Sequence, residues 1–244
     1  MQVLPDMASD DTVRDRLARN LAAIRQQIAE AALRCGRQPE TIKLVAVTKY
    51  VGVEVVRHLV AVGCHDLGES RPQELWQKAA ATADLPIRWH LVGHLQRNKV
   101  RRTLPLIALL HSLDSLRLAE EIDKQSAALG RRTAVLLEVN TSGEAAKHGL
   151  MPEEVPELLP RLAALKNLEI RGLMCMAALE GGMETARANF AALRTLRDRL
   201  QAVCPAGVCL DELSMGMSGD YQAAIAEGAT IVRIGSALFE GIEH

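Results

Sequence analysis

Eight short apolar runs, with a segment of helical pattern between each neighbouring pair, constrain the fold of this 244-residue chain more than any other feature. The runs are 42–49, 64–67, 87–92, 106–113, 134–139, 168–174, 209–214 and 230–234. Unbroken apolar runs of this kind read as strands covered on both faces. Strands that alternate with helices call for a parallel sheet, and eight alternations favour a closed (β/α)8 TIM barrel over an open doubly wound sheet. The intervening helices are expected over 53–62, 72–83, 99–104, 116–129, 183–203 and 221–226. Another starts at Pro152 and is chopped by Pro156 and Pro160. Asn98 or Thr103 is expected to help start the helix over 99–104.

An extra helix over about 10–35, capped by Asp10 or Asp11, precedes the barrel. Its residues Val13, Leu17, Leu21, Ile24, Ile28 and Ala31 or Ala32 form one apolar stripe. The expected organisation is a single domain over 1–244, with the barrel at about 42–239 and too little chain after the eighth strand for a second domain. Aromatic residues make up only 2% of the chain against 48% hydrophobic residues, so aliphatic side chains must build the core.

Several function classes drop out. The net charge of −1 and the lack of a basic block beyond Arg101-Arg102 and Arg131-Arg132 give no nucleic-acid or membrane-surface footprint. No run is long enough to span a bilayer, and Met1–Asp10 lacks a signal-peptide pattern, so a cytoplasmic location is expected. The five cysteines, Cys35, Cys64, Cys175, Cys204 and Cys209, lack a metal or redox spacing and read as reduced structural thiols; no metal is expected. Few aromatics leave no obvious interface core, and a monomer is expected.

Barrel strands deliver functional residues at their carboxyl ends. Leu44-Val45-Ala46-Val47-Thr48-Lys49 delivers one lysine there. In a semi-dry mouth burial would depress the pKa of that amine, and a neutral amine attacks an aldehyde to give a Schiff base. The alternative is a lysine that snorkels at a strand end and pairs with a carboxylate. Two loops at the other side of the expected mouth suit an anion: Ser214-Met215-Gly216-Met217-Ser218-Gly219-Asp220 after the seventh strand, and Gly235-Ser236 after the eighth. Ser218 offers a helix cap and a hydroxyl, Gly235 a close approach of backbone N–H groups, and Ser236 a further N–H and hydroxyl. Arg233 alternates with Val232 and Ile234 and so faces the other way, into the barrel. It needs an acceptor there, either a cofactor ring nitrogen or a carboxylate such as Asp211 or Glu212. No glycine-rich dinucleotide fingerprint follows an early strand; Gly68-Glu69-Ser70 is too weak.

These residues carry a resemblance. Leu44–Lys49, His90-Leu91-Val92-Gly93-His94-Leu95-Gln96-Arg97-Asn98-Lys99, Val139–Gly143 with Lys147-His148-Gly149, Gly172–Met174, Leu213–Asp220 and Arg233–Gly235 run in order over residues 42 to 239. In this the chain resembles the pyridoxal phosphate homeostasis proteins, single barrels related to the amino-terminal domain of alanine racemase. The resemblance implies a pyridoxal 5'-phosphate-binding protein that buffers or delivers its cofactor in the cell. It implies a Schiff base on Lys49, a phosphate cradle of Ser218, Gly235 and Ser236, and Arg233 facing the pyridine nitrogen.

Other B6 vitamers and pyridoxal-phosphate-dependent apoenzymes follow as partners, with no nucleic acid and no membrane. No catalytic residue is assigned. The alternative is a pyridoxal-phosphate-dependent amino-acid racemase with Tyr50, His90, His94 and Lys147 as candidate helpers. The chain departs from the family at Ser70, where asparagine is usual, at Thr48 and Tyr50, and at Glu240.

Overall fold

The computed structural model describes residues 7–144 and 147–242. Eight parallel strands close on themselves in chain order. They are β1 (Lys43–Val47), β2 (Asp66–Glu69), β3 (Arg88–Leu91), β4 (Ile107–Leu113), β5 (Thr133–Glu138), β6 (Leu168–Met174), β7 (Glu212–Ser214) and β8 (Ile231–Ile234). Closure comes from β1 on β8, where Val45 lies beside Arg233 and Ala46 beside Ile234. The helices are α1 (Met7–Arg34), α2 (Val53–Ala61), α3 (Pro72–Ala81), α4 (Val100–Thr103), α5 (Leu116–Ala128), α6 (Val155–Ala163), α7 (Gly182–Gln201) and α8 (Tyr221–Ala226). The expected barrel and leading helix are therefore present.

Side chains alternate between the two faces of each strand, so the barrel has an inner and an outer apolar layer. The outer layer is large and lies between strands and helices. The inner apolar cluster is small: Val45, Leu109, Ala134, Leu136, Met174 and Ile231. The same alternation turns Asp66, His90, His111, Glu138, Ser214 and Arg233 inward, so the lumen is filled in good part by polar side chains. The stripe Leu17, Leu21, Ile24 and Ile28 of α1 is buried as expected, and this helix packs on α2 and α8.

Several local expectations are corrected. Helix α1 begins at Met7, so Asp10 and Asp11 lie within its span and not at its start. Strand β1 stops at Val47, two residues before Lys49. Strand β2 is shifted to Asp66–Glu69 because the Cys64 N–H still bonds Leu59 O at the end of α2, at 2.9 Å. Strand β7 is only Glu212–Ser214. Neither Asn98 nor Thr103 caps α4; the Thr103 hydroxyl donates back to Lys99 O at 2.8 Å. Helix α6 starts at Val155, not at Pro152, and runs through Pro160. Pro156 sits in its first turn, where a missing N–H costs nothing, and burial of Val155, Leu159 and Leu162 holds the segment together across Pro160.

Candidate functional site

A cavity of about 560 Å³ opens at the carboxyl ends of the strands. It is lined by Val47, Lys49, Tyr50, Ser70, Val92, Gly93, His94, Glu138, His148, Met176, Met217, Ser218, Gly219, Arg233, Gly235 and Ser236. All five residues singled out from sequence, Lys49, Ser218, Arg233, Gly235 and Ser236, thus border one space.

Lys49 is exposed, contrary to the semi-dry mouth expected for it. Its Nζ lies 4.6 Å from the centroid of the Tyr50 ring, and among the described residues it makes no ion pair. The alternative of a strand-end pair with a carboxylate is therefore not what the structure shows. The backbone beneath it is held by a buried cluster. Lys78 of α3 donates to Thr48 O at 2.7 Å and pairs with Glu69 Oε1 of β2 at 2.6 Å, and the Thr48 hydroxyl donates to the same carboxylate oxygen at 2.6 Å. The pair is nearly sealed, with side-chain exposures of 7% and 0%. Sequence reading missed this role for Thr48, Glu69 and Lys78. The only signal was a buried-looking glutamate ending a strand ahead of an amphipathic helix with a lysine on its inner face.

Across the cavity, the backbone N–H groups of Gly235 and Ala237 converge on one oxygen, Ser218 Oγ, at 3.2 and 3.3 Å. That geometry ties the loop after β7 to the loop after β8 and presents backbone donors toward a single point. Ser218 does not cap α8: the residue at the helix start is Asp220, and no side chain caps it. Gly216, at φ +91°, bends the loop; a Cβ there would fall 2.6 Å from the Ala224 Cβ. At Gly235 the chain itself would accept a side chain, since a Cβ would meet nothing closer than Val47 O at 3.6 Å. Gly93, by contrast, has no room: a Cβ would sit 2.1 Å from Ser70 O, so the loops after β2 and β3 touch by their backbones.

Arg233 is 4% exposed. It forms no pair with Asp211 or Glu212. Its Nη1 donates to Ser214 O at 2.8 Å and to Ser214 Oγ at 2.6 Å, and its Nη2 donates to Cys175 O at 2.9 Å. Burial lowers its pKa from the ordinary guanidinium value, against attraction from Cys175, Glu138 and Asp220. Glu138, also on the cavity wall and 4% exposed, is pushed up to about 7. Burial is the main cause, nearby Asp114 adds to it, and Arg233 opposes it.

Of the candidate helpers, Tyr50 and His94 line the cavity, and His90 and Lys147 do not. Tyr50 is 70% exposed on the rim. His90 is buried below the cavity and does not line it. His94 stacks on His148, with centroids 4.3 Å apart, and its Nδ1 lies 2.9 Å from Asp114 Oδ2. Lys147 donates to Ala177 O at 2.6 Å and pairs with Glu144 at 3.2 Å.

The arrangement brings an exposed amine, two loops tied together through Ser218 and a buried guanidinium to one cavity. The alanine racemase, N-terminal domain family model matches residues 18–242. The chain is 42% identical over 223 residues to the pyridoxal phosphate homeostasis protein of Pseudomonas aeruginosa, covering 91% of this chain and 94% of the relative. It is similar to the structure of PipY from Synechococcus elongatus with PLP bound, at a TM-score of 0.82 and 38% identity, covering 91% of this chain and 99% of that one. An alanine racemase from Clostridium difficile shares the fold at a TM-score of 0.72 and 20% identity, over 92% of this chain and 56% of that one.

Proposed function

The chain belongs to the pyridoxal phosphate homeostasis proteins, built on the alanine racemase N-terminal domain, and on that premise we propose that it binds pyridoxal 5'-phosphate and buffers or delivers it inside the cell. The observation that carries this reading is the opening of Lys49, Arg233 and the loops that carry Ser218, Gly235 and Ser236 onto one cavity. The residues fit the group. The hydroxyl of Ser218, which accepts from the Gly235 and Ala237 N–H groups and so keeps its own proton to give, and the N–H and hydroxyl of Ser236 offer donors to a phosphate, and donors to a charged acceptor make the stronger hydrogen bonds. An arginine beside the pyridine nitrogen keeps that nitrogen unprotonated.

When bound, the cofactor supplies an aldehyde that condenses with a primary amine, with loss of water. Lys49 is the amine assigned to that Schiff base. Its exposure suits exchange with solvent and with other amines, whereas an enzyme controlling carbanion chemistry excludes water. Turnover is therefore not the proposed role. The racemase reading rests on a likeness that carries the fold alone.

Replacement of Lys49 by Ala tests the attachment. The loaded wild type should show visible absorption, and borohydride should fix the cofactor's mass on the peptide that contains Lys49. The variant should lose both signals while its far-ultraviolet circular dichroism stays unchanged. An adduct that maps to Lys43 or Lys99, or persists at full yield without Lys49, overturns the assignment. Turnover of any member of a panel of L- and D-amino acids would restore the racemase reading.

A further inference from the structure

Arg233 stands at one end of a continuous polar chain that runs down the barrel lumen toward the amino-terminal ends of the strands. Ser214 Oγ accepts from Arg233 Nη1 at 2.6 Å and lies 2.8 Å from His111 Nδ1. His111 Nε2 lies 2.9 Å from His90 Nδ1, and His90 Nε2 lies 3.2 Å from Asp66 Oδ1. Arg88 closes the far end on Asp66, at 2.8 and 2.5 Å. His90 is 2% exposed, and His111 and Ser214 are fully buried. The links come from β8, β7, β4, β3 and β2, so no single strand contains the chain.

The proton order follows from what each atom can do. Burial pushes the Asp66 carboxyl up, but hydrogen bonds from Arg88 and His90 outweigh it and hold it well below the usual carboxylate range. Asp66 is therefore an acceptor only, and His90 must place its proton on Nε2. Burial also holds both imidazoles below their ordinary value, His111 furthest, so each carries one proton at neutral pH. His90 Nδ1 is then an acceptor, and His111 must donate to it from Nε2. His111 Nδ1 is left as an acceptor, and the Ser214 hydroxyl must donate to it. The lone pairs of Ser214 then face Arg233. The reverse order would make Ser214 Oγ accept from both His111 Nδ1 and Arg233 Nη1 and leave its own buried O–H without an acceptor among these groups.

We propose that Asp66, His90, His111 and Ser214 are positioning residues, a one-directional hydrogen-bond chain through which a carboxylate at the far end of the barrel fixes the orientation of Arg233 in the cavity. Three of the five guanidinium N–H groups are spent on Ser214 and Cys175, and the chain decides which way the remainder point. The consequence for the cofactor ring rests on the function proposed above; the proton order does not.

The test uses the full chain without cofactor, labelled with 15N-histidine, and long-range 1H–15N correlation to read the tautomers. In the wild type both His90 and His111 should be neutral with the proton on Nε2. Asp66→Ala should cost His111 its single tautomer although the two residues do not touch, and Asp66→Glu should restore it. Ser214→Ala should leave both histidines on Nε2, because direction is set from the Asp66 end. An Nδ1 proton on either wild-type histidine, an unchanged His111 in Asp66→Ala, or tautomer loss in Ser214→Ala would overturn the proposal. If Asp66→Ala does not fold, the wild-type tautomers and Ser214→Ala still decide. In the loaded protein, Asp66→Ala should shift the visible band and speed cofactor release by about two- to tenfold, the scale of one neutral hydrogen bond. Normal tautomers with no cofactor bound would instead count against the proposed function alone.

Discussion

The two cations that face the cavity are held in opposite ways. Lys49 is loose at its tip and clamped at its base: its amine is exposed, while the carbonyl just before it is bound by a buried Lys78–Glu69 pair. Arg233 is clamped at its tip, by three bonds to uncharged oxygens, and is almost sealed from solvent. The difference matches the roles proposed for the two residues. An amine that must form and break a bond with an incoming aldehyde needs access and some freedom. A cation that sets the electrostatics of a site needs one orientation, which low mobility and low local dielectric make effective.

Removing the clamp beneath Lys49 is the strongest way to break that comparison. Lys78→Ala leaves Glu69 buried without its counter-charge, and Glu69 Oε2 already has no partner. The expected loss is about 3–5 kcal/mol of stability, measured by urea unfolding. A loss below about 1 kcal/mol would mean that the pair is not what anchors the lysine end.

Next comes the carboxyl facing Arg233. Glu138 is raised to about 7 in the fold, above its unfolded value of about 4.3. Between these values the folded state binds more protons than the unfolded one, so this group's contribution is full below pH 4 and is lost as pH rises through 7. The wild type should lose on the order of 3 kcal/mol over that window through this group. Glu138→Gln should flatten that slope, as read by denaturant titrations at pH 4.5, 6 and 8. Parallel pH profiles for the two proteins would place Glu138 in a more polar setting than its burial implies.

The nest across the cavity sharpens the contrast from the ligand side. Ser218→Ala should weaken retention of pyridoxal phosphate by about 1.5–3 kcal/mol, or roughly ten- to a hundredfold, without unfolding the barrel. An unchanged dissociation constant would remove Ser218 from the cradle. The smallest effect belongs to the loose cation itself: Lys49→Ala should change stability by no more than about 0.5 kcal/mol, as for other exposed positions away from buried features. A larger loss would show that its amine has a structural partner.

Much of the fold was legible because it depends on periodicity. Eight apolar runs separated by amphipathic helices leave few arrangements that bury both faces of every strand, and β6 and α8 were readable to the residue. Boundaries were less so. Strand β2 ends in Gly68 and Glu69, residues of poor strand propensity that pair with β3 in the ladder, with Glu69 buried against Lys78. Helix α6 survives Pro160 because its apolar face is covered. The site followed the same division. The strand-end lysine and the loops after β7 and β8 were readable, because a barrel puts such residues at one mouth. The expectation that Lys49 is dry failed, because nothing in the run Leu44–Lys49 says how far the chain continues past the sheet.

Sequence alone determined which residues share the mouth, since strand order and alternation bring Lys49, Ser218, Arg233, Gly235 and Ser236 to one end of a parallel barrel. Only the tertiary structure decided what holds them. Asp66, His90, His111, Ser214 and Arg233 are spread over five strands and more than 160 positions, and the Asp66 side chain is 13% exposed while the rest of the chain is essentially sealed. Hydrogen bonds act over about 3 Å and depend on direction. Their pattern is therefore set by strand register around a closed circle, which no local stretch of sequence encodes.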